Sequence, residues 1–146
     1  MKATVLQRSH IVRYEGAFGT LSAFRLTPAP RISDNETTEA RGAGELTLAE
    51  NGDLSLSYRE EEGVRVSVKR EGSALTVMRG GATLSFVLGE VTRFTYRTAY
   101  GELPTEAFCE EITVKAQGKA LLLTLTYLAV LGGMAQKNTV RFKITY

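Results

Sequence analysis

The sequence predicts an all-β protein, a single antiparallel up-and-down β-barrel of about eight to ten strands. From residue 44 to the C-terminus, apolar residues alternate with polar ones, the period of a strand with one buried and one solvated face. Glycine-containing turn signals separate these segments at intervals of roughly 8–12 residues. With 146 residues, 43% apolar and 23% charged, the chain has the length and composition of one globular domain.

The alternation appears in segments short enough to be strands, at 46–48, 54–58, 64–68, 84–88, 94–98, 112–114 and 140–146. Asn51-Gly52 is a strong hairpin signal, because both central residues of a type I′ turn need positive φ. Further turns are predicted at 71–72, 80–81, 117–118 and 132–133. Strands joined by hairpins favour a barrel, since closure removes exposed edges, and a β-sandwich is the alternative.

The most apolar segment, residues 120–131, is predicted to be a buried strand because glycines flank it. It has about half of the ~20 residues that a membrane-spanning helix needs. One parity is expected to face the core, and the other forms an outward row of Leu122, Thr124, Thr126, Leu128 and Val130. This outward row, at 119–131, needs a cover, either the N-terminal residues or a second subunit, and the first is favoured.

Residues 1–33 are less regular than the core at 34–146, and the whole chain 1–146 is predicted to form one domain. Strands are predicted at 3–13 and 20–27. Pro28 and Pro30 interrupt any ladder that follows, because proline lacks the N–H that a ladder uses.

The chain has one cysteine, Cys109, and one histidine, His10. They cannot form an internal disulfide or the usual Cys/His zinc site, so no metal or cofactor is predicted, and Cys109 is expected to be a buried thiol. Polar residues interrupt the N-terminal segment before it reaches the apolar length of a signal peptide. The expectation is a cytoplasmic protein with no membrane association.

Residues 96–106 read Tyr-Arg-Thr-Ala-Tyr-Gly-Glu-Leu-Pro-Thr-Glu. This stretch resembles a signature of the YwiB-like family, Tyr-x-Thr-Pro-Tyr-Gly-x-(Leu or Ile)-Pro-x-Glu, with Ala99 in place of the proline. Three weaker matches, at 44–46, 56–60 and 79–80, and Tyr127 follow the family's order, so the resemblance covers residues 34–146. It implies a bacterial domain of unknown function with a calycin-type barrel, the class of lipocalins and fatty-acid-binding proteins, which hold small apolar molecules.

The candidate ligand contacts are Tyr58, Glu60, Arg79, Tyr96, Tyr100 and Glu106. Tyr58 and Glu60 share the parity of the leucines before them, which predicts an inward carboxylate that needs a partner. With Arg79 as that partner, the cluster would either orient a ligand in an apolar interior or form a salt bridge at the rim.

Tyr100 and Glu106 lie in the family-like stretch, where Gly101 and Pro104 predict a tight connection between two strands. In one interpretation both residues contact a ligand at the barrel mouth. In the other, Glu106 accepts backbone N–H bonds in a structural corner.

Residues 112–146 carry five bases and no acid: Lys115, Lys119, Lys137, Arg141 and Lys143. Five cations are few for nucleic acid, where strong binding needs roughly six or more phosphate contacts. Cross-strand pairing with acids of neighbouring strands is therefore favoured over a nucleic-acid partner.

Catalysis is less favoured than binding. His10 is a poor catalytic base for Ser9, because neighbours on a strand face opposite sides, although a carboxylate acid/base pair stays open. The predicted function is binding of a small apolar or amphipathic molecule in the barrel interior. The alternative is an interaction module, a homodimer or a binder of protein or nucleic acid, that uses the outer strand face at 119–131 and the basic C-terminus.

Overall fold

The computed structural model describes residues 1–99 and 101–146, and these form ten antiparallel strands and one short helix. The all-β antiparallel fold predicted from the sequence is confirmed. The elements are β1 (Lys2–Tyr14), α1 (Leu21–Arg25), β2 (Ile32–Leu48), β3 (Leu54–Glu60), β4 (Arg65–Glu71), β5 (Ala74–Arg79), β6 (Ala82–Val87), β7 (Val91–Thr98), β8 (Gly101–Gln117), β9 (Ala120–Leu131) and β10 (Met134–Thr145).

The strands form one sheet in the order β6-β5-β4-β3-β2-β1-β10-β9-β8-β7. Its two end strands come together, since the Thr92 hydroxyl of β7 donates to the Ser85 carbonyl of β6 at 2.7 Å. Just beyond β6, Leu88 bridges to Cys109 of β8, and the Gly89 N–H donates to the Cys109 carbonyl at 2.9 Å. The sheet is therefore a nearly closed up-and-down barrel, and few strand edges stay unpaired.

The predicted two-residue alternation is the pattern that fills the barrel. Every second residue of β3 is buried, and so are all six inward positions of β9, 121, 123, 125, 127, 129 and 131. The lower end of the barrel, where the β2–β3, β4–β5 and β8–β9 turns lie, is solidly packed. Its fully buried residues are Leu46, Leu56, Val68, Leu75, Leu123 and Ile144. This packed end supplies the hydrophobic stabilisation, so the upper end can remain open.

The N-terminal segment differs from its prediction at one element. The strand predicted at 3–13 is confirmed as part of β1, which pairs with both β2 and β10. The strand predicted at 20–27 is wrong, because Leu21–Arg25 forms helix α1. Thr20 caps this helix, its hydroxyl accepting from the Ala23 N–H at 3.1 Å. The helical spacing of Leu21 and Phe24 buries both side chains on one side, which alternation would not do.

Helix α1 covers the upper part of the outward row of β9. Leu21 and Phe24 form a second buried cluster with Val130 and Ala135. The Arg25 guanidinium lies 3.7 Å from the centre of the Phe108 ring, which belongs to the same surface. The favoured expectation, that N-terminal residues cover this row, is confirmed here. Within the described residues, no helix has the length and apolar character needed to cross a bilayer.

The expected pairing of the C-terminal bases with acids is largely wrong. Within residues 1–99 and 101–146, only Lys137 of these five bases forms an ion pair, 3.6 Å from Glu110. Arg141 lies opposite another base, Arg8, and Lys143 lies between two leucines. The prediction failed because it relied on the acid-rich middle of the sequence without knowledge of the strand order. Most of those acids lie on other strands and turns of the barrel.

Candidate functional site

A cavity of about 620 Å³ occupies the upper part of the barrel and opens at its end. The interior of an eight-stranded barrel is just wide enough for side chains to fill it. Ten strands enclose more space, so an interior cavity is expected from the geometry. Residues of nine strands and of the β3–β4 turn line it: Gln7, Ser9, Ile11, Thr38, Glu39, Ala40, Arg41, Glu60, Glu61, Glu62, Val66, Val77, Arg79, Leu84, Phe86, Tyr96, Leu125, Tyr127, Asn138, Val140 and Phe142.

The lining changes from apolar to polar toward the opening. On β5, Val77 lies next to the packed core, and Arg79 lies one inward position higher. On β10, the lining changes from Phe142 to Asn138 in the same direction. The cavity therefore combines an apolar interior with a polar rim, as small-molecule sites commonly do.

Glu60 and Arg79 form a two-point ion pair at this rim. Arg79 donates from Nε to one Glu60 carboxylate oxygen at 2.7 Å and from Nη2 to the other at 3.0 Å. The Glu60 side chain is only 4% exposed, whereas that of Arg79 is 54% exposed. The hydrogen bond to Glu60 raises the pKa of Arg79. The predicted salt bridge at the rim is confirmed, and it is also part of the cavity wall. A role in orienting a ligand stays a prediction.

Tyr58 is buried directly beneath this ion pair. Its hydroxyl is buried and has no hydrogen-bond partner within the described residues. Burial is the main cause that raises the Tyr58 pKa, and the negative charge of Glu60 adds to it. Tyr58 is not itself in the cavity lining, although Glu60, Val66 and Arg79 around it are.

A glycine in β2 gives the Tyr58 ring its space. A Cβ on Gly42 would lie 2.8 Å from the ring carbon Cδ2 and 2.3 Å from the Arg59 carbonyl oxygen. Gly44, next on the same face, would meet the Ser57 carbonyl at 1.9 Å. The two glycines let β2 and β3 approach closely, and sequence reasoning missed this role although their two-residue spacing was visible.

Aromatic rings form one side of the cavity. Tyr96 lines it and adds to the electrostatic effects that raise the Arg79 pKa. The ring centre of Phe86 lies 4.5 Å from that of Tyr127, with the two rings tilted by 37°. It lies 5.6 Å from the ring centre of Phe94, in an edge-to-face arrangement. Burial raises the Tyr127 pKa, while a side-chain hydrogen bond with Asn138 opposes that shift.

The structure separates the predicted contacts into those at the cavity and those elsewhere. Glu60, Arg79 and Tyr96 line the cavity and Tyr58 packs beneath them. Glu106 lies away from it, on the outer face of β8, where its carboxylate is 3.0 Å from Arg93 Nη2. Tyr100 lies outside the described residues. Pro104, expected in a tight connection, lies inside β8 opposite Thr95, one residue before the β9 ladder begins.

Sequence reasoning missed several neutral polar residues that face the cavity. Gln7 and Ser9 of β1, Thr38 of β2 and Asn138 of β10 all line it. The Asn138 carbonyl oxygen accepts a hydrogen bond from Gln136 at 3.1 Å inside the barrel. Their parity was readable, since Gln7 follows Val5 and Asn138 precedes Val140 at two-residue spacing.

In the part of the chain that the structure describes, neither the cysteine nor a metal-binding cluster belongs to the cavity. Cys109 is buried outside the lining, and burial raises the pKa of its thiol to about 11, so the thiol is protonated at neutral pH. Among the described residues, no three His, Cys, Asp or Glu side chains converge as a metal site would require.

The fold and the cavity define an antiparallel β-barrel that is packed at one end and open at the other. The chain belongs to the family described as a domain of unknown function, DUF1934, whose profile matches residues 29–142. The resemblance to the YwiB-like family is thereby confirmed. A crystal structure of the ywiB protein from Bacillus subtilis is similar in fold, with a TM-score of 0.54 and 16% identity. The match covers 97% of this chain and 92% of that one. No curated protein matches the sequence.

Proposed function

We propose that the protein binds a small apolar or amphipathic molecule in the barrel cavity. The observation that carries the proposal is the cavity itself, about 620 Å³ of space with an opening to solvent. That volume lies within the roughly 300–1,000 Å³ of known ligand pockets. A barrel without such a ligand would gain stability by filling this space with larger side chains.

The distribution of polar groups supports an orientation for the ligand. Apolar side chains such as Phe86, Leu125 and Phe142 form the inner wall and would contact the ligand's apolar part. Its polar end would lie at the rim, near Arg79 and Tyr96. Arg79 uses Nε and Nη2 on Glu60, which leaves its Nη1 group to donate to a ligand.

A cavity-filling substitution tests the proposal. Val77→Trp places a large ring in the cavity, whereas Met78→Trp puts the same ring on the exposed outer face of the same strand. We expect the wild type and Met78→Trp to increase the fluorescence of N-phenyl-1-naphthylamine equally. We expect Val77→Trp to reduce the bound fraction at least about tenfold, since the ring removes the ligand's volume.

A second cavity variant keeps the test decisive if Val77→Trp does not fold. Ser9→Trp fills the cavity from the β1 wall, and thermal unfolding by circular dichroism establishes which variants are folded. Native mass spectrometry of the purified protein should show a bound small molecule that both folded cavity variants lack. Equal probe binding by all folded variants, or none by the wild type, would contradict a ligand-binding cavity.

The alternative role, an interaction module on the outer face at 119–131 and the basic C-terminus, has less support from that apolar row. Val130 is only 7% exposed and helix α1 packs over it. Sedimentation velocity of the wild type addresses the homodimer directly, because a concentration-dependent dimer would favour an interaction role.

A further inference from the structure

Five cationic side chains come together on the outer face of the barrel, across β8, β9, β10, β1 and β2. The strand register aligns Lys115, Lys143 and Arg41 in one row, with Leu122 and Leu6 between them. The next row places Arg141 beside Arg8. All five side chains are exposed, and Arg41, at one end of the first row, also borders the cavity opening. We call these five residues the basic face: Arg8, Arg41, Lys115, Arg141 and Lys143.

The basic face is poorly neutralised by the protein's own acids. Within the described part of the chain, Arg8 alone among the five has an acidic partner, Glu39 at 2.7 Å. Arg8 and Arg141 lie directly opposite each other, a like-charge arrangement that destabilises a sheet. The structure thus maintains a local excess of positive charge although the whole chain carries a net charge of only +2.

We propose that the basic face binds the phosphate backbone of single-stranded nucleic acid. Adjacent strands lie about 4.8 Å apart, so the cations of the first row are about 10 Å from one another and span about 19 Å. That length matches a few nucleotides of an extended strand. The second row continues beyond Arg141 with Thr124 and then Thr113, and the partly exposed Thr113 can donate its hydroxyl to a phosphate oxygen.

The shape of this surface favours a flexible polymer over a membrane. The wall of a barrel is convex, so a flat bilayer would reach only some of the five cations, whereas a single strand can curve around them. The exposed large apolar side chains that could insert into a bilayer lie elsewhere: Met1, Leu26, Ile32, Leu48, Met78, Leu88, Val91 and Met134. Binding through phosphates alone is expected to be independent of base sequence.

Fluorescence anisotropy with a labelled 15-nucleotide oligo-dT and the corresponding oligo-U tests this inference. With five phosphate contacts, the logarithm of the binding constant should fall with the logarithm of the salt concentration with a slope of about −3.5. The triple variant Lys115→Gln/Arg141→Gln/Lys143→Gln should reduce the slope to about −1.4 and weaken binding at low salt at least about tenfold.

The matched control removes the same charge elsewhere. Lys69, Arg93 and Arg97 are exposed but ion-paired with acids, so their triple Gln variant should bind like the wild type. Thermal unfolding verifies that both triple variants are folded. The proposal is overturned by an absence of oligonucleotide binding or by equal losses in the two triple variants. It is equally overturned if the protein binds vesicles of phosphatidylcholine with phosphatidylglycerol but not the oligonucleotides.

Discussion

Two buried tyrosines at or near the cavity differ in the hydrogen bonding of their hydroxyl groups. The Tyr127 hydroxyl shares a hydrogen bond with Asn138, whereas the Tyr58 hydroxyl is buried without a partner. An unsatisfied buried hydroxyl costs about 1–3 kcal/mol. A tyrosine at position 58 is therefore expected to be a poorer choice for stability than phenylalanine.

Removing each hydroxyl should have different effects on stability. Tyr127→Phe should lower the free energy of unfolding by about 1 kcal/mol, because Asn138 loses a partner. Tyr58→Phe should leave it unchanged or raise it by up to about 1 kcal/mol, since no bond is lost. Urea unfolding monitored by circular dichroism measures both. A larger loss for Tyr58→Phe than for Tyr127→Phe would show that the Tyr58 hydroxyl is satisfied in the folded protein.

Helix α1 is a small element with a defined task, the covering of one outer sheet face. Five residues are too few for a stable isolated helix, so its stability comes from packing. Phe24 contributes aromatic contacts to that packing, with its ring centre 5.1 Å from those of both Tyr14 and Phe18. The helix thus covers this end of the apolar row of β9 with residues of the same chain.

Truncating Phe24 should expose that face. Phe24→Ala is expected to cost about 3 kcal/mol, as for other buried aromatic residues, and to promote self-association through Leu128 and Val130. Leu26→Ala is the control one residue beyond the helix, where the side chain is 82% exposed and should matter little. Urea unfolding and sedimentation velocity report the two effects. A Phe24→Ala variant as stable and monomeric as Leu26→Ala would show that α1 is not a cover.

At the scale of the whole barrel, the charged residues at the cavity opening bear on which ligands the cavity would favour. Glu60 and Arg79 neutralise each other, and Glu39 is paired with Arg8 outside. The remaining charges at the opening are those of Glu61 and Glu62 against Arg41. This excess of negative charge opposes carboxylates, whereas a neutral polar end can still accept from Arg79 and a cationic end would lie toward Glu61 and Glu62.

A set of ligands of equal length tests that preference, which rests on the proposed binding function. Octanol and octylamine should displace N-phenyl-1-naphthylamine at lower concentrations than octanoate does, and Glu61→Gln/Glu62→Gln should narrow the difference. Glu71→Gln, which is remote from the cavity, should leave that difference between the ligands unchanged. Equal or stronger binding of octanoate to the wild type would contradict the charge argument. If none of the three displaced the probe, the proposed binding function itself would be in doubt.

The sequence by itself determined the class of the fold and part of the site. Two-residue alternation and glycine turns are local signals, so the strands, their parity and the inward position of Glu60 followed from them. The partner of Glu60 was predicted because a buried carboxylate requires a cation, and Arg79 is that cation. Helix α1 was missed because its apolar residues are also compatible with a strand.

Only the tertiary structure decided what depends on strand order and register. It placed Glu106 on the outer face, away from Glu60, and it brought Gln7 and Asn138 from opposite ends of the chain to one cavity. It also aligned Arg8 with Arg141 to create the basic face. Such juxtapositions arise from pairing between residues more than a hundred positions apart. Local periodicity carries no information on such distant partners, and the pairing of β1 with β10 in the middle of the sheet supplies it.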